Sequence, residues 1–178
     1  MANYGFIGLG LIGGSIAKKL RRIEPNAKIY VCTRNNDAKE AALEDGVLDG
    51  VFTTDGAFRA GTTSAGGALG AAPYSVTLDV LFLCAPVEAN LELLELVAKW
   101  APAQTTITDV GSVKGPILKL AKKLKLKNFV PGHPMMGTEF SGYAASKEEL
   151  LKGSVYLLAP LSQTEPSHVH KLKLLLEQ

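Results

Sequence analysis

A histidine held between a glycine and a proline, Gly132-His133-Pro134, is the residue of this chain best suited to acid–base chemistry. An imidazole titrates near neutrality, at about 6.5 when unperturbed, so it can take a proton from a substrate hydroxyl. Pro131 and Pro134 stiffen the backbone around it, and Gly132 permits an unusual turn. Upstream, Ser112 stands in the string Asp109-Val110-Gly111-Ser112-Val113-Lys114-Gly115, just ahead of an expected helix. A serine there is ordinarily a helix cap, and Ser112 gains chemical interest only in company with the histidine. Glu139 follows in the run Met135-Met136-Gly137-Thr138-Glu139. Its carboxylate could meet a substrate cation or orient a neighbour, and a plain surface acid explains it as well.

A third constellation lies at the start of the chain. Gly8-Leu9-Gly10-Leu11-Ile12-Gly13-Gly14-Ser15 follows the apolar run Tyr4 to Ile7 and opens onto Ile16-Ala17-Lys18-Lys19-Leu20. A strand, a glycine turn and a helix start, in that order, make a site for a dinucleotide pyrophosphate. Gly8 allows the tight turn, Gly10 lets backbone approach phosphate, and Gly13 lets helix and strand pack closely. Leu9, Leu11 and Ile12 join them as cofactor contacts, because the free N–H groups and the dipole of a helix start attract an anion.

The second strand then has to present the residue that reads the adenosine ribose. A carboxylate there favours NAD. Here the strand ends in Cys32-Thr33-Arg34-Asn35-Asn36. Arg34 can fork onto a 2′-phosphate, with Thr33 and Asn35 adding neutral bonds, so NADP is expected over NAD. Asp37 is the rival acid and is placed as the cap of the next helix. Cys84, Ala85 and Pro86, at the end of a later strand, and Gly111 are expected to line the nicotinamide side of the same crevice.

The elements that must position these residues alternate. Strands are expected at Tyr4–Leu9, Lys28–Thr33, Val51-Phe52, Asp79–Cys84, Thr105–Asp109 and Val155–Leu158. Helices are expected after the glycine turn to about Arg22 and over Ala38–Glu44, Glu88–Trp100 and Pro116–Lys123. Phe129-Val130 is read as leading directly into a loop. This rhythm predicts an α/β, Rossmann-type doubly wound, mostly parallel sheet with helices on both faces. Arg59 to Pro73, rich in Gly, Ala, Thr and Ser, reads as a flexible insertion. Residues 1–164 are taken as the dinucleotide-binding domain. Residues 165–178 are read as the start of a helical segment leading to a domain this chain does not contain.

Composition narrows the function classes. Of 178 residues, 47% are hydrophobic and 20% charged, enough to build a packed core rather than a disordered chain. A net charge of +2 argues against nucleic acid or a membrane surface as partner. Cys32 and Cys84 stand alone, without a C-x-x-C pair, so no metal site is expected. No apolar run approaches the ~20 residues of a membrane span. The expected location is cytoplasmic.

Taken together, Gly8 to Ser15, Asp109 to Lys114 and Gly132 to Glu139 resemble the prephenate dehydrogenase and arogenate dehydrogenase family of tyrosine biosynthesis. The resemblance runs from Gly5 to about Pro160. It implies oxidative decarboxylation of a cyclohexadienol: a hydride leaves the carbon bearing the hydroxyl for C4 of the nicotinamide, carbon dioxide is lost, and the ring becomes aromatic. By resemblance His133 takes the hydroxyl proton, and Ser112 bonds near the histidine and the substrate hydroxyl. It also implies a helical domain that forms the dimer and supplies the arginine clamping the substrate carboxylate. Prephenate is ranked ahead of arogenate, although Glu139 leans towards the ammonium of the latter. β-Hydroxyacid dehydrogenases and pyrroline-carboxylate reductases share the first motif but lack the Gly-His-Pro string. A non-catalytic nucleotide-binding module is the alternative for the isolated chain.

Overall fold

The structure, a computed structural model, describes residues 1–60 and 76–178. The chain runs β1 (Asn3–Ile7), α1 (Leu11–Ile23), β2 (Lys28–Cys32), α2 (Asn36–Glu44), β3 (Gly50–Phe52), β4 (Phe58–Ala60), β5 (Val80–Leu83) and α3 (Val87–Val97). It continues with β6 (Thr106–Asp109), α4 (Gly115–Lys123), β7 (Phe129–Pro134), β8 (Tyr156–Leu158) and α5 (Pro166–Leu176). Two short 3-10 turns, Tyr143–Ala145 and Glu148–Leu151, lie between β7 and β8.

These strands form one sheet in the order β4-β3-β2-β1-β5-β6-β7-β8. The six inner strands are parallel, and β4 and β8 are antiparallel edges. The chain winds outward from β1 to β3 and returns to the other side of β1 at β5. That reversal opens a crevice at the carboxyl ends of β1 and β5, where doubly wound folds bind ligands. Every residue of β5 is buried, as a strand covered on both faces requires.

Alternation along the strands builds two cores. Tyr4, Phe6, Ile29, Val31 and Phe82 face α1, α2 and α5, with Phe6 and Phe82 stacked at 4.8 Å. Ile7, Leu81, Leu83, Ile107 and Phe129 face α3 and α4. Truncating a fully buried phenylalanine such as Phe82 costs about 3–5 kcal/mol.

Four expectations need correction. The helix after Arg34 is capped by Asn35, whose side chain accepts from the Ala38 N–H at 3.0 Å; Asp37 lies inside its first turn. Ser112 does not cap α4, since Lys114 occupies that position. The segment from Phe129 does not turn into a loop at Val130: β7 continues to Pro134, because its last residues, Gly132 to Pro134, pair with β8. Arg59 and Ala60 are strand residues of β4 rather than insertion, paired with Val51 and Gly50. The remainder of the expected insertion, 61–73, lies outside the described residues. The helix read at 165–178 forms α5, with Leu172 fully buried in the core.

Candidate active site

Each glycine of the first motif has a distinct job. Gly8 sits at φ +94°, and a Cβ there would stand 2.8 Å from the Cys84 carbonyl. A Cβ on Gly13 would stand 2.7 Å from the Gly8 carbonyl oxygen, so helix and loop touch backbone to backbone. At Gly10 the Cβ direction is open, with nothing within 4 Å. Gly10 caps α1 without a side chain, and no acid occupies the first turn. Leu11, Ile12 and Gly13 thus begin a helix whose first N–H groups have no intrahelical partner, a setting that favours an anion.

A cleft of about 460 Å³ opens beside this loop, lined among others by Gly8, Leu9, Gly10, Cys32, Thr33, Arg34, Asn35, Cys84, Ala85 and Pro86. It brings together most of the residues that sequence reading assigned to a cofactor. A larger cleft, about 560 Å³, lies between α1 and α5 and contains none of those assigned residues. The smaller one is the candidate site because the glycine loop borders it.

At its mouth Arg34 is exposed and free of ion pairs among the described residues. The Asn35 side chain is committed to its cap, and Thr33 Oγ1 accepts the Asn35 N–H at 3.2 Å. Deeper in, burial pushes the Cys84 thiol well above its ordinary value, and the Asp109 charge adds to this. Cys84 is therefore an inert wall, not a nucleophile.

His133 stands on the same carboxyl rim. Ile7 pairs with Leu83, Leu83 with Asp109 and Asp109 with Pro131, so the residues just beyond this row share one edge of the sheet. Gly8, Cys84, Gly111 and His133 all belong to it. The His133 ring is part-exposed, yet its Nδ1 is buried and has no hydrogen-bond partner. A buried polar atom without a partner is rare in native structures and calls for a reason, often a functional one. Ser112 is exposed on the neighbouring turn, and no hydrogen bond joins it to His133. Glu139 is exposed in the loop after β7. Gly111 contributes its N–H to the Asp109 carboxylate at 3.0 Å.

A family model described as prephenate dehydrogenase, nucleotide-binding domain, matches residues 16–178. This chain belongs to the prephenate dehydrogenase family. It is 36% identical over 173 residues to prephenate dehydrogenase of Bacillus subtilis, covering 96% of this chain and 42% of that protein. The crystal structure of prephenate dehydrogenase from A. aeolicus, in complex with hydroxyphenyl propionate and NAD+, is similar with a TM-score of 0.81 at 29% identity. That match covers 99% of this chain and 57% of the other. Synechocystis arogenate dehydrogenase is similar at a TM-score of 0.78 and 28% identity, over 98% and 56% of the two chains. The chain thus spans less than half the length of its Bacillus subtilis relative.

In this prephenate dehydrogenase nucleotide-binding domain, two groups at the rim escaped sequence reading. Asp109, 1% exposed, bonds to both motif loops, and Lys114 pairs with it at 2.5 Å. Tyr156 of β8 lies against Gly132, its hydroxyl buried beside Thr108 but outside bonding geometry. Burial above all, with the Asp109 charge, holds that phenol well above its usual range. The sequence signal for Asp109 was its place in Asp-Val-Gly-Ser-Val-Lys; nothing local pointed to Tyr156.

Proposed function

We propose that the protein carrying this domain oxidatively decarboxylates prephenate to 4-hydroxyphenylpyruvate, using NADP, as a step of tyrosine biosynthesis in the cytoplasm. The observation that carries the reading is the buried, unpartnered Nδ1 of His133 on the rim shared with the glycine loop. Fit to a nicotinamide dinucleotide rests on the open space over Gly10, the uncapped start of α1 and the free Arg34 guanidinium at the cleft mouth. Gly8 to Gly13 would hold the pyrophosphate, Arg34 the 2′-phosphate, and Cys84, Ala85 and Pro86 would wall the ring side. Bound there, the oxidised nicotinamide supplies the hydride acceptor.

The chain's own residues do the rest. With Nδ1 buried, the His133 ring offers Nε2 to the substrate hydroxyl. Nε2 takes the hydroxyl proton as the carbon beneath it is oxidised to the carbonyl level. Loss of carbon dioxide then returns an electron pair to the ring, which becomes aromatic. A base so placed contributes about 10²–10⁴-fold. Ser112, on the adjacent turn, orients the hydroxyl. A helical domain following α5 is proposed to complete the substrate pocket and form a homodimer.

Arogenate is the second reading, favoured by the Glu139 carboxylate, exposed on the loop that leaves His133. A steady-state assay of the natural-length protein, with both substrates and both nucleotides, separates these. Prephenate with NADP is expected to give the highest kcat/KM. Preference for arogenate selects the second reading, and no turnover of either substrate refutes both.

A further inference from the structure

Asp109 is the last residue of β6, and its side chain is almost fully buried. Its Oδ2 accepts the Gly111 N–H at 3.0 Å and the Lys114 ammonium at 2.5 Å. Its Oδ1 accepts the Gly132 N–H at 3.2 Å. Gly111 immediately precedes Ser112, and Gly132 immediately precedes His133. A single carboxylate therefore ties together the two backbone segments that carry the proposed catalytic side chains. Both glycines are boxed in: a Cβ on Gly111 would stand 3.1 Å from Asp109 Oδ2, and one on Gly132 would stand 3.0 Å from the Asp109 carbonyl oxygen.

Lys114 completes the arrangement from the N-cap position of α4, with its side chain 18% exposed. An ion pair this deep adds little net stability, because desolvation of both charges offsets their attraction. Its value lies in geometry and in charge. An unpaired carboxylate at this junction would favour a protonated imidazole next door, and an unpaired ammonium would oppose it.

We infer that Asp109 and Lys114 are positioning residues, a charge-balanced pair that locks the Ser112 turn to the His133 strand and keeps the rim around the imidazole electrically neutral. The inference rests on the reading of His133 as the base. Other titratable groups at this end of the bordering elements include Cys84 after β5, Glu88 in the first turn of α3, Tyr156 in β8 and Glu139 beyond β7. Of these, Tyr156 and Cys84 stay neutral because burial raises both.

The test is an NMR titration of the His133 ring in this chain, comparing wild type, Asp109→Asn, Lys114→Gln and the double variant. Removing the carboxylate lowers the His133 midpoint and removing the ammonium raises it, each by roughly half a pH unit or more, while the double variant returns towards wild type. Shifts in the same direction, or none, overturn the inference. If Asp109→Asn does not fold, Lys114→Gln decides alone: a rise supports the pair, and no rise overturns it. In the natural-length protein, Lys114→Gln is expected to lower kcat with little change in the KM for nucleotide, and an unchanged kcat would count against positioning. Absence of any dehydrogenase activity in the wild type would remove the catalytic reading yet leave the opposed titration shifts readable, so the two claims fail separately.

Discussion

The hydroxyl of Tyr143 donates to the Asp45 carboxylate at 2.9 Å, joining the segment that leaves His133 to the end of α2. The Lys18 ammonium lies 4.3 Å from the centre of the same ring, so α1 is held as well. Nearby, Ser15 Oγ accepts the Lys147 N–H at 3.0 Å, and a Cβ on Gly14 would stand 2.6 Å from Ser146 Oγ. Gly14 and Ser15, at the end of the glycine motif, thus serve docking of this segment rather than phosphate. Gly142, just before Tyr143, lines the cofactor cleft. Tyr143→Phe should therefore lose about 0.5–1.5 kcal/mol of stability, read by urea denaturation. Weaker nucleotide binding in the same variant should accompany the loss, since the cleft wall depends on that anchor.

Gly10 and Gly8 separate binding from folding. Gly10 has φ −92° and open space at its Cβ, so Gly10→Ala fits the fold. At an N-cap the exchange costs about 1 kcal/mol or less. The added methyl projects where phosphate approaches, and NADP affinity measured by calorimetry should fall. Gly8→Ala meets the Cys84 carbonyl at 2.8 Å and needs φ +94°, so it should lower the melting temperature as well.

Arg34 is the proposed reader of the 2′-phosphate. Its guanidinium is free of ion pairs among the described residues, and a charged hydrogen bond contributes about 1.5–3 kcal/mol. Arg34→Ala should weaken NADP roughly 10- to 100-fold by that figure and leave NAD nearly unchanged. Equal losses for both nucleotides would show that Arg34 does not read the 2′-phosphate.

His168 makes stability depend on pH. It is 5% exposed on α5, and its Nδ1 bonds Thr106 Oγ1 at 2.8 Å. Burial first, then the Lys171 charge, hold its pKa below the ordinary 6.5, while Glu165 and a bond with the Ala103 backbone oppose them. The unfolded chain then binds a proton before the folded one does, so this contribution is complete above 6.5 and is lost as pH falls below it. Chemical denaturation of wild type and His168→Gln between pH 7.5 and pH 5.5, a window of roughly one unit either side of the unperturbed histidine value, should show the steeper acid loss in the wild type. Parallel curves would contradict it.

Legibility of the sequence followed the range of the forces involved. β1, the glycine turn and α1 could be read because strand period, turn residues and helix start lie within a few positions of one another. β7 is longer than its sequence suggests, because Pro131, Gly132 and Pro134 look like loop. Prolines retain their carbonyl acceptors, and Pro131 O receives the Ala159 N–H at 2.9 Å, so the strand survives at its antiparallel edge. β4 has a local signal, the Asp55-Gly56 pair that forms its turn, with Gly56 at φ +86°. The Asp109–Gly132 bond joins residues 23 apart and leaves no periodic trace. α5 read correctly as a helix, but its burial of His168 and Leu172 is a tertiary fact.

The most direct test of the account is turnover by His133→Ala in the natural-length protein, measured beside its affinity for NADP. The account predicts a fall in kcat on the order of 10²-fold or more with nucleotide affinity within about twofold of wild type. Near-normal turnover, or a loss explained by failure to bind NADP, would contradict it.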